Sequence, residues 1–225
     1  MASGYYVTGT DTAAGKTFAS VALIHALRAR GLRVAGMKPV ASGCELRNGA
    51  WRNEDALDLQ AASSEPVPEY ALVNPFALPE ATAPQIAAAH AGASVNIAPM
   101  LAAFEALSAQ ADAVVVEGVG GWLAPFADGF EQSALVARLQ LPVILVVGLK
   151  LGCLNHARLS ERRIIDDGLT LAGWIGNHVD PALEFETEYT ELVRRAMTSP
   201  CLGVLPHAGA QPASHFAANL RLPEG

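Results

Sequence analysis

The chain has 225 residues, 22 of them acidic and 15 basic, which gives a formal net charge of −7. A chain of this length can bury a full hydrophobic core without disulfide staples, and its three cysteines form no CxxC pair. These features argue against a secreted disulfide scaffold, a zinc site, and a protein whose main role is to coat nucleic acid.

Targeting and membrane signals are absent from the sequence. The first residues contain neither a basic stretch nor an apolar signal region. The longest apolar run, Leu141–Leu149, contains Pro142 and ends at Lys150. This run is too short for a membrane helix, which needs about 20 residues, and it fits a strand buried on both faces. We therefore expect a cytoplasmic protein with no membrane partner.

Short β-branched runs alternate with helical patterns along the chain. In chain order, the predicted strands are Tyr5–Thr8, Leu32–Lys38, Ala113–Glu117, Pro142–Val147, Leu171–Asn177 and Cys201–Leu205. The predicted helices are Lys16–Arg30, Asp55–Ala62, Ile97–Gln110, Gln132–Leu139, Asn155–Asp167 and Glu184–Thr198. Segment 63–83 has little periodicity, so its order is left open. The alternation predicts one α/β domain over residues 1–225, a doubly wound, mostly parallel sheet with helices on both faces.

A glycine-containing loop, Gly9–Thr17, joins the first predicted strand to the first predicted helix. Its backbone N–H groups can form a nest for phosphate oxygens, next to the positive end of the helix dipole. Lys16 would neutralise the phosphates, and Thr17 would offer a hydroxyl to Mg²⁺. Five residues separate Gly9 from Gly15 where four are usual. The loop predicts a P-loop NTPase-like phosphate site; the alternative is an ordinary turn with an incidental lysine.

Two carboxylates are candidate ligands of a Mg²⁺ ion. Glu117 ends a predicted strand before the glycines of 118–121, at the edge where open parallel sheets bind ligands. A surface carboxylate before a turn is the alternative. Asp55 is a weaker candidate on spacing alone, because Glu54 and Asp58 are acidic neighbours and any of them could interact with the helix dipole.

Two further segments could bind anions. Lys38 ends the second predicted strand and could meet a transferred phosphate, or it could be a solvated lysine. Segment 148–156 leads from a buried strand into a helix, whose free N–H groups suit a carboxylate. Within that segment, Cys153 and His156 have packing or capping as the simpler explanation, because no triad spacing supports a nucleophile.

Five blocks in this order resemble the dethiobiotin synthetase family. They are Val7–Thr12 with Gly15–Thr17, Lys38–Gly43, Val116–Trp122, Gly152–His156 and Leu171–Trp174. The resemblance extends from Tyr6 to about His207, and the last 18 residues lie outside it.

The resemblance implies a homodimeric, Mg²⁺-ATP-dependent cyclo-ligase. Such an enzyme joins CO2 to 7,8-diaminononanoate and gives dethiobiotin, ADP and phosphate, through a carbamate and a carbamic–phosphoric anhydride. ATP is then a co-substrate, and CO2 or bicarbonate and the diamine are the other small-molecule partners.

Site roles follow from the same resemblance. The catalytic residues would be Lys38, Lys16 and Thr12. The nucleotide would contact Ala13, Ala14, Gly15, Lys16, Thr17, Phe18, Asp55, Glu117, Gly118, Val119, Gly120, Asn177, His178, Pro206, His207 and Ala208. The substrate would contact Ser42 and, from the partner subunit, residues corresponding to Gly152, Cys153, Leu154 and Asn155. Mg²⁺ would be held by Thr17, Asp55 and Glu117.

Two positions depart from the family pattern, and two other classes of protein stay open. Ala14 stands where valine is frequent, and His178 stands where aspartate is common. A partition or division-site ATPase of the ParA/MinD kind carries a signature lysine where this chain has Asp11. A cobyrinate-type amide ligase usually has an added glutaminase domain, for which 225 residues leave little room.

Overall fold

The computed structural model describes residues 3–222. Within this range the strands are β1 (Ser3–Gly9), β2 (Val34–Met37), β3 (Val40–Ser42), β4 (Glu45–Arg47), β5 (Ala50–Arg52), β6 (Phe76–Leu78), β7 (Ala113–Gly121), β8 (Val143–Leu149), β9 (Leu171–His178) and β10 (Cys201–Leu205). The helices are α1 (Lys16–Ala29), α2 (Glu54–Ala62), α3 (Tyr70–Val73), α4 (Pro84–His90), α5 (Ile97–Ser108), α6 (Gln132–Leu139), α7 (Cys153–Asp166) and α8 (Glu186–Ala196), followed by a 3₁₀ helix, Ala213–Asn219.

Six of the strands form the central sheet, in the order β10-β9-β8-β1-β7-β2. Every neighbouring pair in it is parallel. From β1 the chain runs to the edge strand β2, returns to β7 beside β1, and then runs outwards on the other side through β8, β9 and β10. Strands thus lie on both sides of β1, which confirms the predicted doubly wound α/β fold. The connection after β1 leads to one side of the sheet and the connection after β8 leads to the other, so the loop that follows β1 opens into the crevice where such sheets bind ligands.

Helices cover both faces of the sheet, as the side chains of β8 illustrate. Ile144 and Val146 belong to a core layer that includes Leu23 of α1. Val143 and Leu145 belong to the opposite layer. Successive side chains of a strand point to opposite faces, so a strand that is apolar throughout is covered on both sides.

Several element boundaries differ from the predicted ones in the region of the site. β2 ends at Met37, so Lys38 follows this strand instead of ending it. β7 does not end at Glu117 but continues to Gly121, where it pairs with Gly9 of β1. Pairing with a central strand overrides the low strand propensity of glycine there. α7 begins at Cys153, two residues before the predicted start, after Gly152 has adopted a left-handed conformation with φ +91°.

The segment that sequence periodicity left open contains α3 and β6. β6 pairs in parallel with β3, and β4 pairs with β5 in a separate antiparallel hairpin. The backbone N–H of Lys38 donates to the carbonyl of Val73, and the side chain of Asn74 donates to the carbonyl of Lys38 at 2.6 Å. This segment therefore fixes the backbone of a lysine that the sequence places in the site.

The helices are short, the longest described ones having 14 residues. Among residues 3–222, no helix combines the length and the apolar character needed to cross a bilayer.

Candidate active site

The loop between β1 and α1 has the backbone of a phosphate-binding turn. Gly15 precedes α1 with φ +77°, in the left-handed region that glycine adopts without strain. A side chain at this position would also overlap the amide of Asn177, whose Nδ2 donates to the carbonyl of Ala14 at 3.1 Å. Strand β9 thus supports the loop from behind, and the first N–H groups of α1 remain available at its mouth.

Lys16, the first residue of α1, is folded back over this loop. Its side chain is buried, and Nζ donates to the carbonyls of Asp11 and Thr12 at 3.2 and 3.3 Å. Burial, reinforced by the nearby Lys38 ammonium, lowers the pKa of Lys16 to about 8. A buried ammonium held by carbonyl dipoles at the edge of a cavity is a strong site for an anion.

Lys38, the residue after β2, bridges two carboxylates, Glu117 within β7 and Asp55 at the start of α2. Its Nζ lies 2.5 Å from Glu117 Oε1 and 3.0 Å from Asp55 Oδ2, and both Lys38 and Glu117 are buried. Burial by itself lowers the pKa of Lys38, but the two carboxylates outweigh this effect and leave the pKa raised. Lys38 is therefore a stable cation at neutral pH.

Asp55 reaches this cluster because α2 packs closely on β2. A Cβ at Gly36 of β2 would lie only 2.8 Å from Leu59 of α2, so glycine is needed for the approach. Burial raises the pKa of Asp55, but the Lys38 ammonium outweighs burial and the pKa lies below its usual value. The carboxylate that spacing alone ranked low is thus ionised and directed at Lys38.

The same cluster offers oxygen ligands that fit a divalent cation. Thr17 Oγ1 donates to Glu117 Oε1 at 3.0 Å, so hydroxyl and carboxylate lie side by side. Glu117 Oε2 is buried and has no hydrogen-bond partner among residues 3–222. Magnesium prefers such hard oxygen donors and commonly completes its shell with water and phosphate oxygens. Because no group of three or more His, Cys, Asp or Glu side chains is arranged for a metal in the described part of the chain, nucleotide oxygens would have to contribute.

A cavity of about 440 Å³, the lysine cavity, is lined by ten of the predicted site residues. Those that line it are Thr12, Ala13, Gly15, Lys16, Thr17, Lys38, Ser42, Asp55, Val119 and Gly120. Ala41 and Asn53 also line it and were not predicted. Asn53 caps α2 by accepting from the N–H of Ala56, and it donates to the carbonyl of Ser42 at 3.3 Å. An asparagine before a helical pattern is a capping signal, and it could have drawn attention to this position.

Three of the other predicted nucleotide residues lie around the cavity without lining it. Ala14 is fully buried beneath the loop, and Gly118 packs against Tyr6 and Gln132. Phe18 faces a neighbouring groove of about 430 Å³ and packs on Phe216, with ring centroids 5.6 Å apart.

The residues expected near the nucleotide base lie at the ends of β9 and β10. Asn177 is buried against the phosphate loop, and His178, the last residue of β9, has its Nδ1 3.8 Å from Glu186 Oε1. Pro206, His207 and Ala208 follow β10 directly, and the first two are exposed. Their contact with a base stays a prediction.

None of the four residues in 152–155 lines the lysine cavity of its own chain. They form the exposed N-terminal turn of α7, in which only Cys153 is buried. The preceding Lys150 pairs with Asp11 Oδ2 at 2.7 Å, and this hydrogen bond is the largest cause of a lowered pKa for Asp11. The pair ties the loop before α7 to the phosphate loop, a contact that sequence reasoning missed because 139 residues separate its partners.

The parallel sheet, the glycine loop after its central strand and the buried lysine at the start of α1 define an α/β protein of the P-loop NTPase type. The family described as "AAA domain" matches residues 3–210. A ParA family ATPase from Chlorobium tepidum TLS has a TM-score of 0.59 at 9% identity, covering 98% of this chain and 91% of that one. The septum site-determining protein MinD from Pyrococcus horikoshii OT3 has a TM-score of 0.54 at 16% identity, with the same coverage. At these identities the likeness shows the fold alone.

A comparison with a relative of similar length identifies the family within this class. ATP-dependent dethiobiotin synthetase BioD of Xylella fastidiosa (strain 9a5c) is 56% identical over 225 residues, which cover 99% of this chain and 98% of the relative. The chain therefore belongs to the family of ATP-dependent dethiobiotin synthetases. The family resemblance carried by the five sequence blocks is confirmed.

Proposed function

We propose that this protein forms dethiobiotin from 7,8-diaminononanoate, CO2 and Mg-ATP, with the lysine cavity as its active site. One observation carries the assignment of the site. Two buried ammonium groups, Lys16 and Lys38, and the Asp55 carboxylate line a single cavity beside a phosphate loop, and the fully buried Glu117 carboxylate contacts Lys38 behind it. Anionic reactants and a divalent cation are the ligands that this arrangement suits.

The phosphate loop binds the nucleotide. Backbone N–H groups at the start of α1 receive phosphate oxygens, and Lys16 exchanges its two carbonyl contacts for the phosphates. Thr12 lines the same cavity and has its backbone N–H fixed by Asp11 Oδ1 at 2.7 Å. Its hydroxyl assists near the transferring group.

Lys38 and Ser42 serve the reacting end of the substrate. One substrate amine takes up CO2 as a carbamate, and Ser42 contacts this amine or the carbamate at the cavity wall. A carbamate oxygen attacks the γ-phosphorus and releases ADP, leaving a carbamic–phosphoric anhydride. The second amine attacks the carbonyl carbon, and phosphate leaves as the ureido ring closes. Every species is anionic, so Lys38 contributes by charge stabilisation and alignment.

The residues that would hold Mg²⁺ are Thr17, Asp55 and Glu117. When bound, the ion neutralises phosphate charge and orients the phosphate chain. Glu117 Oε2, which has no hydrogen-bond partner in the described range 3–222, and the neighbouring Thr17 hydroxyl support this assignment.

The substrate carboxylate binds at the N-terminus of α7 of a partner subunit in a homodimer. Two observations support this step. Residues 152–155 lie outside the cavity of their own chain. The surface around them exposes large apolar side chains: Leu151 is 80% exposed and Leu159 is 62% exposed, as a second copy covering this face would explain.

The nucleotide base contacts Asn177 and residues 206–208. The enzyme is cytoplasmic.

Product analysis tests the reaction. The purified protein is incubated with Mg-ATP, bicarbonate and diaminononanoate, and phosphate release and product mass are recorded. We expect ADP, phosphate and dethiobiotin in equal amounts, with loss of all three on chelation of Mg²⁺. ATP hydrolysis that needs no diamine and is stimulated by DNA or lipid would instead support a switch ATPase.

Mixing two inactive variants tests the shared site. Lys38→Leu removes one of the two cations of the cavity, and Asn155→Asp places a negative charge where the carboxylate would bind. If each site combines Lys38 of one subunit with Asn155 of the other, random re-association restores about a quarter of wild-type activity. Mixtures that remain as inactive as the separate variants would contradict a shared site.

A further inference from the structure

Gln132, the first residue of α6, is fully buried beside the glycine segment that follows Glu117. Its Oε1 accepts from the hydroxyl of Tyr6 at 2.7 Å and from the backbone N–H of Val119 at 3.2 Å. Its Nε2 lies 2.7–3.4 Å from four main-chain carbonyl oxygens, those of Val119, Gly121, Trp122 and Ala124. A single amide therefore contacts both backbone groups of Val119, and the two hydrogens of its NH2 group are shared among the carbonyls of Val119 and of the turn after it.

This amide lies where the pairing of β1 with β7 is interrupted. Beyond Val7, the register between β1 and β7 shifts and is recovered only at Gly9 and Gly121. Backbone groups that leave a ladder inside the protein need another partner, because an unpaired buried polar group is costly. Gln132 supplies that partner.

The segment held in this way forms one wall of the active site. Val119 and Gly120 line the lysine cavity, and a Cβ at Gly120 would lie 3.6 Å from the hydroxyl of Thr12. Glu117 lies two residues before Val119 on the same strand. A displacement of Val119 would therefore disturb both Thr12 in the phosphate loop and the carboxylate of Glu117.

Tyr6 fixes the orientation of the amide. It lies on β1, is fully buried, and donates its hydroxyl proton to Gln132 Oε1. Burial, together with the nearby Glu117 carboxylate, keeps the pKa of Tyr6 well above its usual value, so the hydroxyl remains a donor. With Oε1 committed to donors, the Nε2 side of the amide must face the carbonyls.

We infer that Gln132, oriented by Tyr6, is a positioning residue that holds segment 118–124 in the geometry needed for nucleotide binding. This inference rests on the proposed function, because it assigns the held wall to a nucleotide site. Gln132 touches no reactant and acts only through Val119 and its neighbours.

Three variants test the inference. Gln132→Leu removes the whole hydrogen-bonding pattern, Tyr6→Phe removes only the orienting bond, and Leu135→Ala is the control. Leu135 is fully buried on the same helix, so its truncation loosens α6 without touching the amide. Affinity for Mg-ADP is measured by calorimetry, and exchange of the Val119 amide hydrogen is measured without nucleotide.

We expect Gln132→Leu to weaken Mg-ADP binding at least about tenfold and to speed exchange at Val119, since buried backbone groups lose their partners. Tyr6→Phe should weaken binding about threefold. Leu135→Ala should lower the melting temperature while leaving affinity and Val119 exchange unchanged.

Wild-type affinity in Gln132→Leu overturns the inference, as does an equal loss of affinity in Leu135→Ala. If Gln132→Leu does not fold, Tyr6→Phe decides, and wild-type affinity in that variant overturns it. Wild-type protein that binds no Mg-ADP refutes the proposed function, and this inference falls with it. If the wild-type protein and Gln132→Leu bind Mg-ADP with equal affinity, the inference is refuted and the proposed function is not.

Discussion

Replacing Lys38 with leucine tests both the stability and the chemistry of the site. The side chain is 5% exposed and its Nζ contacts Glu117, which is fully buried, and Asp55. Removing one partner of a buried ion pair costs about 3–5 kcal/mol, because the other charge stays buried without compensation. In a chain of this size the melting temperature falls by about 2–4 °C per kcal/mol, so we expect a decrease of about 6–20 °C. Turnover should fall by about 10²–10³ or more, since a preorganised cation is lost.

Thermal unfolding and product analysis measure these effects. The double variant Lys38→Leu/Glu117→Gln is the matched control, and it should recover much of the lost stability because no charge is left buried and unpaired. Mg²⁺ should stabilise Lys38→Leu more than it stabilises the wild type, since Lys38 no longer competes for Asp55 and Glu117. Mg-ADP affinity should be largely retained, because the phosphate loop is intact. A melting temperature within about 2 °C of wild type would refute the reasoning on the ion pair, and wild-type ring closure would remove Lys38 from the mechanism.

Three further predictions concern the phosphate loop. Lys16→Ala should abolish ATP turnover, and unchanged phosphate release in this variant would contradict the loop assignment. Burial lowers the pKa of Lys16 to about 8 from its ordinary 10.5. Between pH 8 and 10.5 the lysine is therefore protonated in the unfolded chain and largely neutral in the folded chain. The contribution of this group to the free energy of unfolding should therefore increase as the pH rises through that range. Phosphate favours the charged lysine, so Mg-ADP binding at pH 9 should be accompanied by uptake of a proton. Calorimetry in two buffers of different ionisation enthalpy measures this uptake, and equal binding enthalpies in the two buffers would contradict the reasoning. Gly15→Ala should cost about 1–3 kcal/mol of stability through its positive φ, and Asn177→Ala should partly rescue it by removing the overlap; the absence of any rescue would leave backbone strain as the whole cause.

The elements that sequence reasoning predicted well are those whose signals are local. The alternation of apolar strands and helical patterns identified the six strands of the central sheet, although several ends moved by a few residues. The strand–loop–helix unit ending in Lys16 carries its own chemistry in consecutive residues. Glu117 was found because a carboxylate at the end of a predicted apolar strand stands out.

The parts that sequence reasoning missed depend on partners distant in the chain. Asp55 was indistinguishable from Glu54 and Asp58 until the close approach of α2 to β2 directed it at Lys38. Segment 63–83 lacked periodicity because its short elements are held by β3 and by the backbone of Lys38.

The sequence by itself determined the fold class, the phosphate loop and the family, because each is written in contiguous residues or in the order of short blocks. The tertiary structure alone decided which charged and polar side chains come into contact. It brought Lys38 to Glu117 across 79 residues, Lys150 to Asp11 across 139, and Tyr6 to Gln132 across 126. Burial and electrostatic coupling are properties of distance and solvent exclusion, and neither exists until parallel strands remote in the chain align their carboxyl ends at one edge of the sheet.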